Sequence, residues 1–275
     1  MKTPDVSARP QALYCYKIKK SGWMLLVLLL ILGLAACGIP AAVETELVVF
    51  AAASLSGILT ELAEQYTGAN LIFNFDSSGT LRTQLQAGAE ADLFLSAAAQ
   101  EMDTLDAEGQ IKPGTRIDLL ENQVVLVKAP DNPGNIACFR DMAEALVSGD
   151  VLIAMGNIDV PVGRYTQKVL DYWGLDHVAL AYQGRISYGA NARGVAMQVR
   201  ESSVDFGFVY LTDALEFGLA VLDIATAEMA GPVVYPAAVL HASRHPEAAQ
   251  AFLDFLVEVE VMAMFADWGF VVAES

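Results

Sequence analysis

The chain has 275 residues, 55% of them hydrophobic, and sets 33 acidic residues against 16 basic ones for a formal charge of −17. That length exceeds one typical domain, so two domains are expected, and so acidic a balance argues against nucleic acid as a partner.

The chain opens with a basic stretch holding Lys2, Arg9, Lys17, Lys19 and Lys20, and from Met24 to Ala36 every residue except Gly33 is apolar. A run of about 13 residues is too short to span a bilayer and suits the core of a signal peptide. It ends in Leu34-Ala35-Ala36-Cys37, which resembles the bacterial lipobox. The expectation is cleavage after Ala36, acylation of the Cys37 thiol and a tether over residues 37–46. An ordinary signal peptide or an uncleaved anchor are the alternatives. Loss of residues 1–36 removes five basic and one acidic residue and moves the formal charge from −17 to −21. Of the three cysteines, Cys15 then leaves with the leader and Cys37 is acylated, so Cys138 has no partner for an intramolecular disulfide. It reads as a small buried hydrophobe. Long-range steering by such a chain opposes an anionic ligand, although exposed charges are screened over about 8 Å at physiological salt. Attraction for an anion must therefore be local.

Leu47 to Phe50 is an apolar strand that runs through alanines to Ser54, where helical spacing begins at Leu55, Ile58, Leu59, Leu62 and Tyr66. Ser54 is expected at the helix N-cap. Leu71 to Phe75 is a second strand that runs into Ser77-Ser78-Gly79 and a helix carrying Leu81 and Leu85. A third short strand, Asp92 to Ser96, precedes a helix over Ala97 to Glu108. Strands alternating with helices at this spacing predict an α/β fold with a mainly parallel sheet. A β-branched run from Val124 to Val127 breaks the rhythm and is followed by a Pro/Gly loop. A second series then brings a strand at Val151 to Met155, helices at Gly163 to Trp173 and Arg193 to Glu201, and strands at Phe206 to Tyr210 and Gly218 to Ile224. Val233 to Leu240 reads as another crossing strand, with helices around Glu247 to Leu256 and Val259 to Trp268 beyond it. The expected architecture is two lobes, residues 47–122 with 234–275 and residues 123–233, joined by two crossing segments.

Four turns fall at the expected carboxyl edges of strands, each before a helix: Ala53-Ser54, Ser77-Ser78-Gly79, Val160-Pro161-Val162-Gly163 and Gly189 to Gly194. Ligands of open α/β sheets bind at that edge, and helix N-termini hold anions. Pro161 suits a first helical turn and leaves the amides of Val162 and Gly163 as candidate donors. The plain alternative at each turn is a helix cap or start. Tyr210 ends an apolar run, and its hydroxyl is a candidate donor at the strand's end. Arg82, Arg164 and Arg193 lie near these turns; Arg164 is the candidate gate, the alternative for each being a solvated or carboxylate-paired side chain.

Enzyme readings fare poorly. His177, His241 and His245 have no metal-ligand spacing, and neither a Gly-x-Ser-x-Gly elbow nor a phosphate-binding Gly-x-x-x-x-Gly-Lys loop occurs. A surface-anchored hydrolase using Ser54 would lack a histidine partner. Neither a cofactor nor a resident metal is expected.

With these residues in view the chain resembles the molybdate-binding lipoproteins and periplasmic proteins that serve ABC importers. The motifs that carry the resemblance are Val49 to Leu55, Phe75 to Leu81, Ala87 to Ser96, Val160 to Tyr165, Asn191 to Gly194 and Gly207 to Tyr210, in family order. The resemblance implies the type II periplasmic-binding-protein fold and no enzyme activity. It implies oxyanion contacts from Ser54 and Ser78 through hydroxyl and backbone, from Val162 and Ala192 through backbone amides, and from Tyr210 through its phenol. It also implies a monomer on the outer side of the membrane, anchored at Cys37, with a permease as partner and molybdenum present only within the bound oxyanion. Asp76, next to the serine pair, departs from the small or neutral residue expected there.

A site of neutral donors accounts for selectivity in outline. A fully deprotonated dianion needs only donors, whereas hydrogen phosphate leaves a proton without an acceptor, at about 1–3 kcal/mol. Molybdate and tungstate share size and charge and are not separated by sequence, and a site for sulfate or another small anion is the alternative.

Overall fold

The computed structural model describes residues 45–130, 132, 135–149 and 151–272. The expected signal peptide, the acylated Cys37 and nearly all of the tether lie outside the described residues.

In chain order, β1 (Glu46–Ala52) leads through a 3-10 turn (Ala53–Leu55) into α1 (Ser56–Ala63), β2 (Asn70–Asp76) into α2 (Ser78–Gln86), and β3 (Leu93–Leu95) into α3 (Ala99–Ala107). β4 (Ile117–Asn122) and β5 (Val124–Lys128) follow, separated only by Gln123. Next come α4 (Phe139–Ser148), β6 (Ile153–Gly156), α5 (Pro161–Tyr172), α6 (His177–Tyr182), β7 (Ile186–Gly189) and α7 (Ala192–Arg200). β8 (Phe206–Tyr210), α8 (Leu211–Glu216), β9 (Ala220–Ile224), α9 (Ala227–Ala230), β10 (Val233–Val239), α10 (Pro246–Leu256) and α11 (Val259–Asp267) complete the described chain.

Among the described residues the strands form two five-stranded sheets, in the orders β2-β1-β3-β10-β4 and β7-β6-β8-β5-β9. β4 lies in the first and β5 in the second, so the chain changes sheet at Gln123 and returns between Ile224 and Val233. Each sheet with its helices is a lobe. The continuous apolar runs of β3, β5 and β8 follow from burial of both faces. Along β5, Val124 and Leu126 join one core while Val125 and Val127 join another, as the period of two in a strand requires. One core runs from lobe to lobe through Leu120, Val124, Tyr210 and Tyr235, all buried.

Register positions the functional edge. β1 and β2 pair in parallel with Ala52 opposite Asp76, which sets the turns holding Ser54 and Ser78 side by side. In the second lobe β6 and β7 pair in parallel with Gly156 opposite Gly189, which aligns the turn before α5 with the turn before α7.

One local expectation is corrected. Ser54 is not an N-cap: it sits inside the 3-10 turn, and the residue flanking α1, Leu55, makes no side-chain cap. An extra tight turn is interposed between strand and helix, and the serine hydroxyl is thereby released from capping. At the second turn Ser77, not Ser78, caps the helix, its Oγ accepting the Thr80 amide at 3.1 Å. The reading also passed over α4, whose buried Phe139, Met142, Ala143 and Leu146 keep helical spacing.

Candidate functional site

The four turns converge. A cavity of about 20 Å³ is lined by Ala52, Ala53 and Ser54 from the first, Asp76, Ser77 and Ser78 from the second, Val160, Pro161 and Val162 from the third, and Asn191 and Ala192 from the fourth, with Ala97 and Tyr210 completing it. The space suits one compact group. All five residues expected as ligand contacts, Ser54, Ser78, Val162, Ala192 and Tyr210, therefore border one volume, with Ser54 and Ser78 from one lobe facing Val162, Ala192 and Tyr210 from the other.

Their hydrogen bonds determine what each can offer. Ser78 is 1% exposed and its Oγ accepts the Ala97 amide at 2.9 Å, so its own proton has no protein acceptor in that bond. Ser54 Oγ lies 2.9 Å from the Tyr235 hydroxyl. The Tyr210 hydroxyl is buried and has no protein partner. Burial pushes the Tyr210 phenol well above its ordinary value of 10.0; Tyr235, Tyr165 and Asp213 add to this and Arg164 opposes it. The group thus remains a protonated donor. An orphaned buried hydroxyl in a native site calls for an external partner.

The second lobe contributes backbone. α5 has Val160 as its N-cap with no side-chain cap and Pro161 in its first turn, and first-turn amides have no acceptor within their own helix. A Cβ on Gly163 would lie 1.9 Å from the carbonyl oxygen of Asn157 and 2.5 Å from that of Gly156, so only glycine allows the turn to close so tightly. α7 is capped by Asn191, whose Oδ1 accepts the Gly194 amide at 2.9 Å. That cap takes Gly194 and leaves the Ala192 amide unclaimed by it. Three helices, α2, α5 and α7, begin at the cavity and aim the positive ends of their dipoles at it.

None of the described residues lining the cavity is cationic. Arg164, expected as a gate, is not a lining residue: it donates to the Asp159 carbonyl at 2.7 Å and pairs with Glu101. Glu101, on α3 and 2% exposed, is also met by Arg82 Nε at 2.6 Å, so one buried carboxylate ties α2 and α3 of the first lobe to α5 of the second. Arg193 pairs with Glu216. Among the described lining residues the one charged is Asp76, whose Oδ1 accepts the Ser77 amide at 2.6 Å.

Asp213 lies on α8 directly after Tyr210, 1% exposed, and neither carboxylate oxygen has a partner in hydrogen-bond geometry. Burial raises its pKa from 3.8 to about 7, helped by Glu216 and opposed by Arg193 and by the nearby Tyr210 amide. Sequence reading missed Asp213, and also Glu101, Asn122 and Tyr235. A polar residue interrupting an apolar strand was the only signal for Tyr235.

The chain matches the family described as bacterial extracellular solute-binding protein over residues 47–271. It is 32% identical over 234 residues to a Bacillus subtilis chain provisionally named an ABC transporter substrate-binding lipoprotein, covering 82% of this chain and 86% of that one. It is 32% identical over 239 residues to the molybdate-binding protein of Mycobacterium tuberculosis, covering 82% of this chain and 87% of the relative. Its fold superposes on the periplasmic molybdate-binding protein of Azotobacter vinelandii with a TM-score of 0.73 at 24% identity, over 83% of this chain and all of that one. The architecture is therefore that of a periplasmic binding protein.

Proposed function

We propose, from the premise that this chain belongs to the family of bacterial extracellular solute-binding proteins, that it captures molybdate between its two lobes and delivers it to an ABC importer. Tungstate, with the same size and charge, is bound as well. The observation that carries the reading is one small cavity bordered by two buried serines, an orphaned phenol and the first turns of three helices, with no cation among the described lining residues. Ser54, Ser78 and Tyr210 donate through side chains, and Val162 and Ala192 through backbone amides. Charge is balanced by helix-terminal dipoles and directed N–H and O–H groups. Relatives at 32% identity that carry the name of a molybdate-binding protein support this choice of ion.

The protein does no chemistry on its ligand and needs no cofactor. Residues 47–122 with 234–275 form one jaw and residues 123–233 the other; closure on the ion creates the surface that a membrane permease recognises. The mature protein is a monomer held at the outer side of the membrane by a lipid on Cys37, with residues 37–46 as its tether.

Thermal unfolding with molybdate, tungstate, sulfate and phosphate in turn tests the reading. A ligand at 100 to 1,000 times its dissociation constant adds roughly 2.7–4.1 kcal/mol, or very roughly 5–16 °C for a chain of this size. Shifts with molybdate and tungstate alone are expected. A shift with sulfate and none with molybdate would move the function to another anion.

A further inference from the structure

We propose that Tyr235 is a positioning residue that forces the Ser54 hydroxyl to act as a donor toward the bound ion, and that Asn122 sets the direction of this relay. The inference rests on the oxyanion reading of the cavity and assigns selectivity to residues that do not line it.

The direction follows from counting protons. Asn122 is 5% exposed, and its Oδ1 accepts the Gln123 amide at 2.8 Å. That bond fixes the carboxamide, because a flipped side chain would set two N–H groups against each other. Nδ2 then faces two hydroxyls, donating to Thr212 Oγ1 at 3.0 Å and to the Tyr235 hydroxyl at 3.2 Å. An amide nitrogen accepts nothing, so the Tyr235 oxygen must accept here. The phenol has one proton of its own, and its other partner is Ser54 Oγ at 2.9 Å. Tyr235 donates that proton to Ser54. The serine oxygen thus already accepts one bond from the protein, and its own proton is left for the cavity that it lines.

The relay is held in place. Tyr235 is 1% exposed and Ser54 6%. The Tyr235 ring packs edge-to-face between Tyr210 and Phe270, at centroid distances of 5.7 and 5.4 Å. The register of β10 against β4 shifts between Tyr235 and Pro236, the kind of irregularity that re-aims a strand side chain. Asn122 ends the strand leaving the first lobe, Tyr235 lies on the strand that returns to it, and Thr212 belongs to the second. Ser78 reaches the same condition by a simpler route, since its oxygen accepts from a backbone amide, that of Ala97. Both serines thus present their protons to the ligand, and an anion that carries a proton meets serine oxygens that already accept from the protein.

The test is a double-mutant cycle on the full protein. Wild type, Tyr235→Phe, Ser54→Ala and the double variant are titrated with sodium molybdate, and inorganic phosphate is titrated by displacement. Unliganded thermal unfolding verifies that each is folded. Tyr235→Phe is expected to weaken molybdate roughly ten- to hundredfold, to weaken phosphate less, and to cost nothing further once Ser54 is alanine. Wild-type affinity in Tyr235→Phe, an equal loss for both anions, or an undiminished loss on the Ser54→Ala background would overturn the relay alone. A wild-type protein that binds no molybdate would overturn the oxyanion reading and the relay with it. Should Tyr235→Phe prove unfolded, Asn122→Ala carries the test: it leaves the phenol oxygen free to accept from Ser54, so a smaller loss in the same direction is expected and unchanged binding overturns the relay.

Discussion

The two faces of the cavity solve one problem with different materials. The first lobe presents hydroxyls, Ser54 and Ser78, whose directions are set by Tyr235 and by the Ala97 amide. The second presents main chain at the starts of α5 and α7, shaped by Pro161, Gly163 and Asn191, with Tyr210 as its side-chain donor. A hydroxyl can reverse its role from donor to acceptor and must be disciplined by neighbours. A backbone amide cannot, and needs only a rigid turn. Substitutions should therefore hurt the first face by deleting side-chain atoms and the second by disturbing backbone.

Four substitutions sharpen or break this contrast. The largest effect is expected at Asp213, behind the second face. Its folded-state pKa of about 7 stands above 3.8, so the folded protein keeps a proton that the unfolded chain releases between these values. Stability attributable to this group is therefore intact below pH 4, falls as pH rises through that window and is flat above 7, a total of about 4 kcal/mol at most. The difference in unfolding free energy between wild type and Asp213→Asn, followed from pH 4 to 8, should move against the wild type by that order; a flat difference would mean that the carboxylate finds a partner.

Gly163→Ala comes next. Its Cβ would meet the Asn157 carbonyl at 1.9 Å, and overpacking of this kind costs about 1–3 kcal/mol or more. The unliganded protein should melt several degrees lower, and a wild-type melting temperature would show that the turn is looser than its geometry implies.

The smallest effects come from a matched pair. Ser78→Ala removes a donor and strands the Ala97 amide, so molybdate affinity should fall by about 1.5–3 kcal/mol, the range for hydrogen bonds to charged groups. Val162→Ala keeps the amide and should change affinity by under about 1 kcal/mol. Calorimetric titration of both decides the matter, and equal losses would erase the contrast between the faces.

Much of this was legible in the sequence because it is local. An apolar run that stops at a serine or a proline and continues with helical spacing announces a strand, a turn and a helix, and four such turns predicted one edge. Parallel pairing of Ala52 with Asp76 and of Gly156 with Gly189 then aligned those turns. What stayed hidden depends on distance along the chain. Ser54 and Tyr235 are separated by 181 residues, and nothing local to either announces the bond. Arg164 and Glu101, 63 residues apart, meet across the lobes, and nothing local to either announces which carboxylate an arginine beside the ligand turn will meet. Between Ser77 and Ser78 the sequence offered no choice of cap; the helix takes the first and leaves the second for the cavity. Short elements also escaped, such as β7, whose four residues carry no apolar run.

The central claim is a site of donors only. Its most direct test is calorimetry of molybdate binding to the wild-type protein at pH 8 in buffers of different ionisation enthalpy, which counts protons exchanged on binding. Donors alone take the dianion as it stands, and the account predicts no proton uptake. Uptake approaching one proton per ion would contradict it, because it would place an acceptor, with Asp76 foremost, among the groups that hold the ligand.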